Sequence, residues 1–174
     1  MPTWVATGGD RSVTTLIVGL APGLKGANRT GVPFTGDCAG NTLFATLKRA
    51  GLAKGEFTAD PTNAMQLVNC AITNAVRCVP PENRPTGLEV VTCTNRYLQR
   101  TIDRFKKLER IITLGKIAHD ATVRTLGARV SDHPFAHNAR SVIKGVELIA
   151  SYHCSRYNMN TGRLTEDMLA EVFL

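Results

Sequence analysis

Four short runs of β-branched and aliphatic residues recur along the chain: "TTLIVGLA" (14–21), "CAITNAV" (70–76), "RIITLG" (110–115) and "ELIASYH" (147–153). Helical patterns lie between and after them, "GNTLFATLKRAGL" (40–52), "TGLEVVTCTNRYLQRTIDRFKKL" (86–108), "KIAHDATVRTLG" (116–127) and "LTEDMLAEVFL" (164–174). Strands alternating with helices imply a parallel sheet covered by helices on both faces. In such α/β folds, ligands bind beyond the carboxyl ends of the strands, in the loops leaving the sheet. Three of those loops are polar and irregular: "GLAPGLKGANRTGVPFTGD" (19–37), "RCVPPENRPT" (77–86) and "CSRYNMNTGR" (154–163). After the third run, Gly115 leads directly into a helix.

At 174 residues the chain is expected to form one domain around one core. Its hydrophobic content of 43% and charged content of 20% belong to an ordinary globular protein. No stretch approaches a membrane-spanning length and the N-terminus lacks a signal-peptide profile, so a cytoplasmic protein without membrane association is expected. A formal charge of +7 points toward a polyanionic partner such as nucleic acid. Five scattered cysteines, Cys38, Cys70, Cys78, Cys93 and Cys154, argue against a disulfide framework, leaving each as a small core residue or a ligand.

The first loop uses nineteen residues and five glycines on backbone expected to be neither helix nor strand, the sign of a binding surface. It fits neither a P-loop nor G-x-G-x-x-G. Asp37 reads either as a helix cap or as a site carboxylate, and Phe34 either as core or as a plate for a planar ligand. Asn74 lies inside an apolar run, where a buried amide needs partners and can read a nucleobase edge with both donor and acceptor. Asn83, after Pro-Pro-Glu, has turn formation as its ordinary role. His153 ends a buried strand, placed either to be merely hydrogen-bonded or to stabilise a developing anion. His133 and His137 sit in what reads as a surface loop without metal-ligand spacing, so no zinc site is expected.

Together "GLAPGLKGANRTGVPFTGD", "AVRCVPPENRPT" and "SYHCSRYNMNTGRLT" closely resemble the motifs of the family 5 (type b) uracil-DNA glycosylases, with similarity from about Pro2 to the C-terminus. The resemblance implies a single domain over 1–174, a three-layer α/β/α sandwich around a four-stranded parallel sheet. It implies a monomer that flips uracil out of DNA and hydrolyses the N-glycosidic bond, leaving an abasic site, with tolerance of other deaminated bases such as hypoxanthine. It would reside in the cytoplasm, on the nucleoid through DNA. Carried onto this chain, the catalytic residues are Asp37, Asn83 and His153. Gly19, Ala21, Phe34 and Asn74 would wall the base, and the loop bearing Arg156, Asn158 and Arg163 would engage the DNA minor groove and phosphates. Asp37 would orient water and stabilise the oxocarbenium-like sugar, His153 would bond the uracil O2 as charge builds there, and Asn83 would position water or deoxyribose.

Two positions depart from that pattern. Family 5 enzymes usually carry Ala where this chain has Asn74, whereas the related family 4 enzymes have Asn in "ITN" and bind uracil with it; Asn74 should therefore sharpen preference for uracil. These families also hold a [4Fe-4S] cluster on four cysteines, of which this chain matches only Cys78 and Cys93; the preceding C-x2-C pair is not in the sequence. The alternatives are a start further upstream or a lost cluster, and with the latter a catalytically impaired DNA-binding relative. A small-molecule nucleoside hydrolase is the third reading, one that leaves the basic charge without a use.

Overall fold

The computed structural model describes residues 3–36, 38–57 and 65–174, and of Asn83 the backbone alone. In chain order the elements are β1 (Trp4–Val5), β2 (Thr15–Gly19), α1 (Ala27–Thr30), α2 (Cys38–Arg49), β3 (Ala53–Lys54), β4 (Gln66–Leu67), β5 (Cys70–Asn74), α3 (Gly87–Cys93), a π-helical turn (Thr94–Leu98) and α4 (Gln99–Arg104). There follow β6 (Arg110–Leu114), α5 (Lys116–Thr125), β7 (Arg140–Ile143), β8 (Val146–Ser151), α6 (Arg156–Asn160) and α7 (Glu166–Glu171).

The main sheet has the order β1-β5-β2-β6-β8-β7. Its centre is the expected set of four parallel strands, β5, β2, β6 and β8. Every residue of β2 and β5 is buried, as strands covered on both faces must be. The sheet is nonetheless mixed: β1 pairs with β5 and β7 with β8, both antiparallel, closing its two edges. Helix α5 packs on β2, β6 and β8, while α2 packs on α7. Leu16, Ile17, Ile72, Ile111, Ile112 and Leu148 fill the interior from the sheet, and Leu43, Phe44 and Leu47 enter it from α2.

The helical pattern expected over 86–108 is three pieces, and it stops at Arg104 because Phe105 turns extended to reach β6. The Thr86 and Glu89 side chains form a capping box that starts α3. The glycine-rich loop is also less irregular than expected, since it contains the single-turn helix α1, closed by Gly31 in the left-handed region. Among the described residues, no helix is long and apolar enough to cross a membrane.

Candidate base pocket and its flanking loops

Gly19 ends β2 and Asn74 ends β5, and the two are register partners on adjacent parallel strands. The ladder runs on past them, with the Ala75 and Val76 amides donating to the Gly19 and Leu20 carbonyls, each at 2.9 Å. A Cβ on Gly19 would lie 2.5 Å from Asn74 Oδ1 and 2.6 Å from the Phe34 ring. Only glycine lets the amide and the aromatic close over the strand end together.

Phe34 reaches that place by an uncommon route. Its backbone has φ 57°, left-handed for a non-glycine residue, and its carbonyl lies against the Cα of Gly40 in α2. Thr35 beside it is buried and donates to the Val32 carbonyl at 2.8 Å, and its hydroxyl also meets that of Thr30. The strained turn is thus held by packing and local hydroxyls.

His153 enters from β8, two residues beyond the strand's end. Its ring stacks on Phe34 with centroids 5.9 Å apart and planes 24° off parallel. The Asn158 amide donates to the His153 carbonyl at 2.8 Å, and Ser155 Oγ caps α6 by accepting from the Asn158 backbone at 3.4 Å. These bonds join the histidine to the helix that follows it.

Between these groups lies a cavity of about 200 Å³ whose walls include Ala21, Phe34, Ala39, Asn74, His153 and Ser155. Of these, Asn74 and Phe34 are buried and His153 is half-buried. The arrangement offers a flat aromatic face, an amide with donor and acceptor, and an imidazole, which together suit a planar heterocycle with polar edges.

Of the residues expected at the site, the structure brings together Ala21, Phe34, Asn74 and His153 around the cavity, with Gly19 behind them. Asp37 lies outside the described residues, as does the side chain of Asn83, whose backbone ends a 3-10 turn at Pro81–Asn83. Asn158, expected at the DNA, donates its side-chain amide to the His153 carbonyl. The sequence reading does not single out Ala39 or Ser155; Ser155 lies within the third motif loop, but small residues carry little signal of their own.

Arg156 is exposed and its Nη2 lies 2.6 Å from the Cys38 sulfur, a bond that raises the guanidinium further above its ordinary value. Cys38 is the first residue of α2. Arg163 is exposed, with its guanidinium 4.7 Å over the Tyr152 ring. His137 sits in the turn before β7, in the loop expected for it. It is half-buried, stacks on Tyr152 at 5.3 Å, and its Nδ1 accepts from the Tyr152 amide at 3.4 Å.

Cys78 and Cys93 both line a second, largely apolar cavity of about 320 Å³, together with Val76, Val79, Pro80 and Leu88. Among the described residues, no three His, Cys, Asp or Glu side chains gather where they could hold a metal ion.

The sequence pattern of the uracil DNA glycosylase superfamily matches residues 6–174. The chain is 41% identical over 167 residues to a type-5 uracil-DNA glycosylase of Thermus thermophilus, an alignment covering 95% of this chain and 75% of that protein. It is 40% identical over 178 residues to the type-5 enzyme of Mycobacterium leprae, with 99% and 75% covered. Similarity to a type-4 uracil-DNA glycosylase of Pyrobaculum aerophilum is lower, 32% over 149 residues, with 83% and 68% covered.

Proposed function

The chain belongs to the uracil DNA glycosylase superfamily, and we propose that it acts as a uracil-DNA glycosylase of DNA repair, hydrolysing the N-glycosidic bond of uracil in DNA to leave an abasic site. The observation that carries this reading is the cavity on which Phe34 of the first loop, Asn74 at the end of β5 and His153 just beyond β8 converge at the carboxyl edge of the sheet.

A base inside a duplex is beyond reach of such a cavity, so the nucleotide must leave the stack to enter it. Phe34 then offers its face to the pyrimidine, and the buried Asn74 amide accepts from one base edge group and donates to another. Bond cleavage leaves positive charge on the sugar and negative charge on the departing uracil. His153 stands on the leaving-group side, where a donated hydrogen bond stabilises the uracil anion as it forms. We assign to Asp37 the orientation of water and electrostatic support of the sugar cation, and to Asn83 the positioning of water or deoxyribose. Arg156 and Arg163 would meet phosphates beside the flipped nucleotide. In this proposal the enzyme works as a single-domain monomer on DNA in the cytoplasm, and its range extends to other deaminated bases such as hypoxanthine, restrained by Asn74.

A four-iron cluster needs four thiolates, and the donor set on the second cavity is the pair Cys78 and Cys93. The described residues therefore do not fit the whole group. The pair is assigned as half of a cluster site, and no step of the reaction is drawn through it.

Release of free uracil from a uracil-containing oligonucleotide is the direct test. No release, with salt-sensitive DNA binding retained, would instead support the catalytically impaired DNA-binding relative.

A further inference from the structure

At the β1 edge of the sheet, beyond β5, lies a cavity of about 290 Å³ lined by Thr3, Arg77, Tyr97, Arg100, Thr101 and Arg104. It shares no lining residue with the base pocket. Three of its six residues are arginines, the other three carry hydroxyls, and among the described residues no carboxylate lines it.

Its scaffold is tied to the strand that carries Asn74. The chain leaves β5 and three residues later presents Arg77, half-buried, whose Nη2 donates to Thr3 Oγ1 at 3.2 Å and to Thr101 Oγ1 at 2.9 Å. The same guanidinium lies 4.9 Å over the Tyr97 ring. Thr101 donates in turn to the Tyr97 carbonyl at 2.9 Å, and Thr3 to Thr73 of β5 at 3.2 Å. Tyr97 belongs to the π-helical turn, an irregularity that recurs at functional sites. Arg100 stands exposed at the rim, and Arg104, also exposed, pairs with Asp10 outside the cavity.

The electrostatics follow from that geometry. Burial chiefly, and the neighbouring Arg104 in addition, pull the Arg77 guanidinium below its ordinary value, with Tyr97 and Cys93 acting the other way. Three guanidinium groups around one hollow repel each other, and an anion placed among them offsets that repulsion. Planar guanidinium forks with hydroxyl donors beside them match the oxygens of a phosphate group better than a single-point anion.

We propose that the cavity lined by Arg77, Arg100 and Arg104 is a second binding site, one that takes a phosphate group. The phosphate is either a phosphodiester of a DNA strand running from the base pocket past β5 or a soluble phosphate; only the first source rests on the glycosylase reading.

Arg100→Ala tests the site, since Arg100 is exposed and its truncation leaves the Arg77, Tyr97 and Thr101 packing in place. Affinity for a uracil-free duplex is measured across a salt series, binding of inorganic phosphate is measured by titration calorimetry, and both are repeated with R100A/R104A. If a strand supplies the phosphate, R100A weakens duplex binding about tenfold and flattens the log–log salt slope by about one, with kcat at saturating DNA unchanged. If the source is soluble, the wild-type protein binds inorganic phosphate and R100A binds it at least about tenfold more weakly, with duplex affinity unchanged. Equal salt slopes and equal phosphate binding in wild type, R100A and R100A/R104A would overturn the proposal. A wild-type protein that releases no uracil would sink the glycosylase reading alone, because neither binding measurement depends on turnover.

Discussion

Gly19 and Asn74 face each other across the β2–β5 pairing so closely that the hydrogen on one Cα is part of the pocket's shape. Gly19→Ala places a methyl 2.5 Å from Asn74 Oδ1 and 2.6 Å from the Phe34 ring. Something has to shift, at roughly 1–3 kcal/mol of overpacking. The expected outcome is a lowered melting temperature together with a fall in kcat/KM for uracil release of about 100-fold, because the displaced groups are those proposed to hold the base.

Asn74 is 5% exposed, so what it bonds in the substrate is bonded away from water. Asn74→Ala should lower uracil excision about 10- to 100-fold, corresponding to roughly 1–3 kcal/mol for an unmet buried polar group. Activity on hypoxanthine should fall less or rise, since the purine gains nothing from an amide set for a pyrimidine edge. Parallel assays of the two substrates check it, and unchanged activity on both would remove Asn74 from the discrimination.

The Asn158 amide ties the His153 carbonyl to α6, so Asn158 is expected to position His153. Asn158→Ala frees the His153 carbonyl and is expected to reduce kcat about tenfold through a sub-ångström misplacement, with KM for DNA nearly constant. An Asn158 that contacts DNA instead would give the reverse split, a raised KM with kcat preserved.

Burial, chiefly, lowers the His137 pKa from its ordinary 6.5, with the Met168 backbone and Glu171 opposing the shift. As pH falls through 6.5 the unfolded chain takes up a proton that the folded chain still refuses, so stability drops until the folded imidazole protonates too. The wild-type denaturation midpoint should therefore decline on acidification from neutral pH more than that of His137→Gln. Matching declines would show that His137 is not the group responsible.

Thiol reactivity should divide the cysteines by position. Burial pushes Cys70 up to about 12, and its thiol donates to the Leu52 carbonyl at 3.3 Å; Cys154 is equally enclosed and donates to the Ala39 carbonyl at 3.5 Å. An alkylating reagent applied to the native protein is expected to mark Cys78 first, then Cys38 and Cys93, and to reach Cys70 and Cys154 only on unfolding. Peptide mass mapping over time reads the order.

The parallel core is legible in the sequence because β2 and β5 are short, mainly apolar runs without a charged residue, a pattern that two-sided burial favours. The edges are not. Trp4–Val5 is too short to carry periodicity, and Arg140–Ile143 begins on an arginine and exposes two of its four residues. For the site, Asn74 and His153 stand out as polar residues at the ends of apolar runs, and the fold places both on the cavity. The left-handed turn that aims Phe34 has no such mark, because it depends on Gly40 lying across the sheet's loop in space. The arginine cavity is hidden for the same reason: Thr3, Arg77 and Arg104 come together only through the edge strand and the π-helical turn.

The strand order also fixes when the pocket can exist. Phe34 and Asn74 are made early, but the stacking partner of Phe34 is His153, which arrives on β8, the last strand to be synthesised and one that pairs with β6 and β7. A nascent chain that has emerged only as far as β6 can pair β2 with β5 and β6 and still lack an imidazole opposite the aromatic. Closing a contact of such long sequence separation carries a large loop-closure entropy cost. The cavity is thus complete only once the residues beyond β8 have been made, and a chain released earlier holds Phe34 and Asn74 without the imidazole that lines the same hollow.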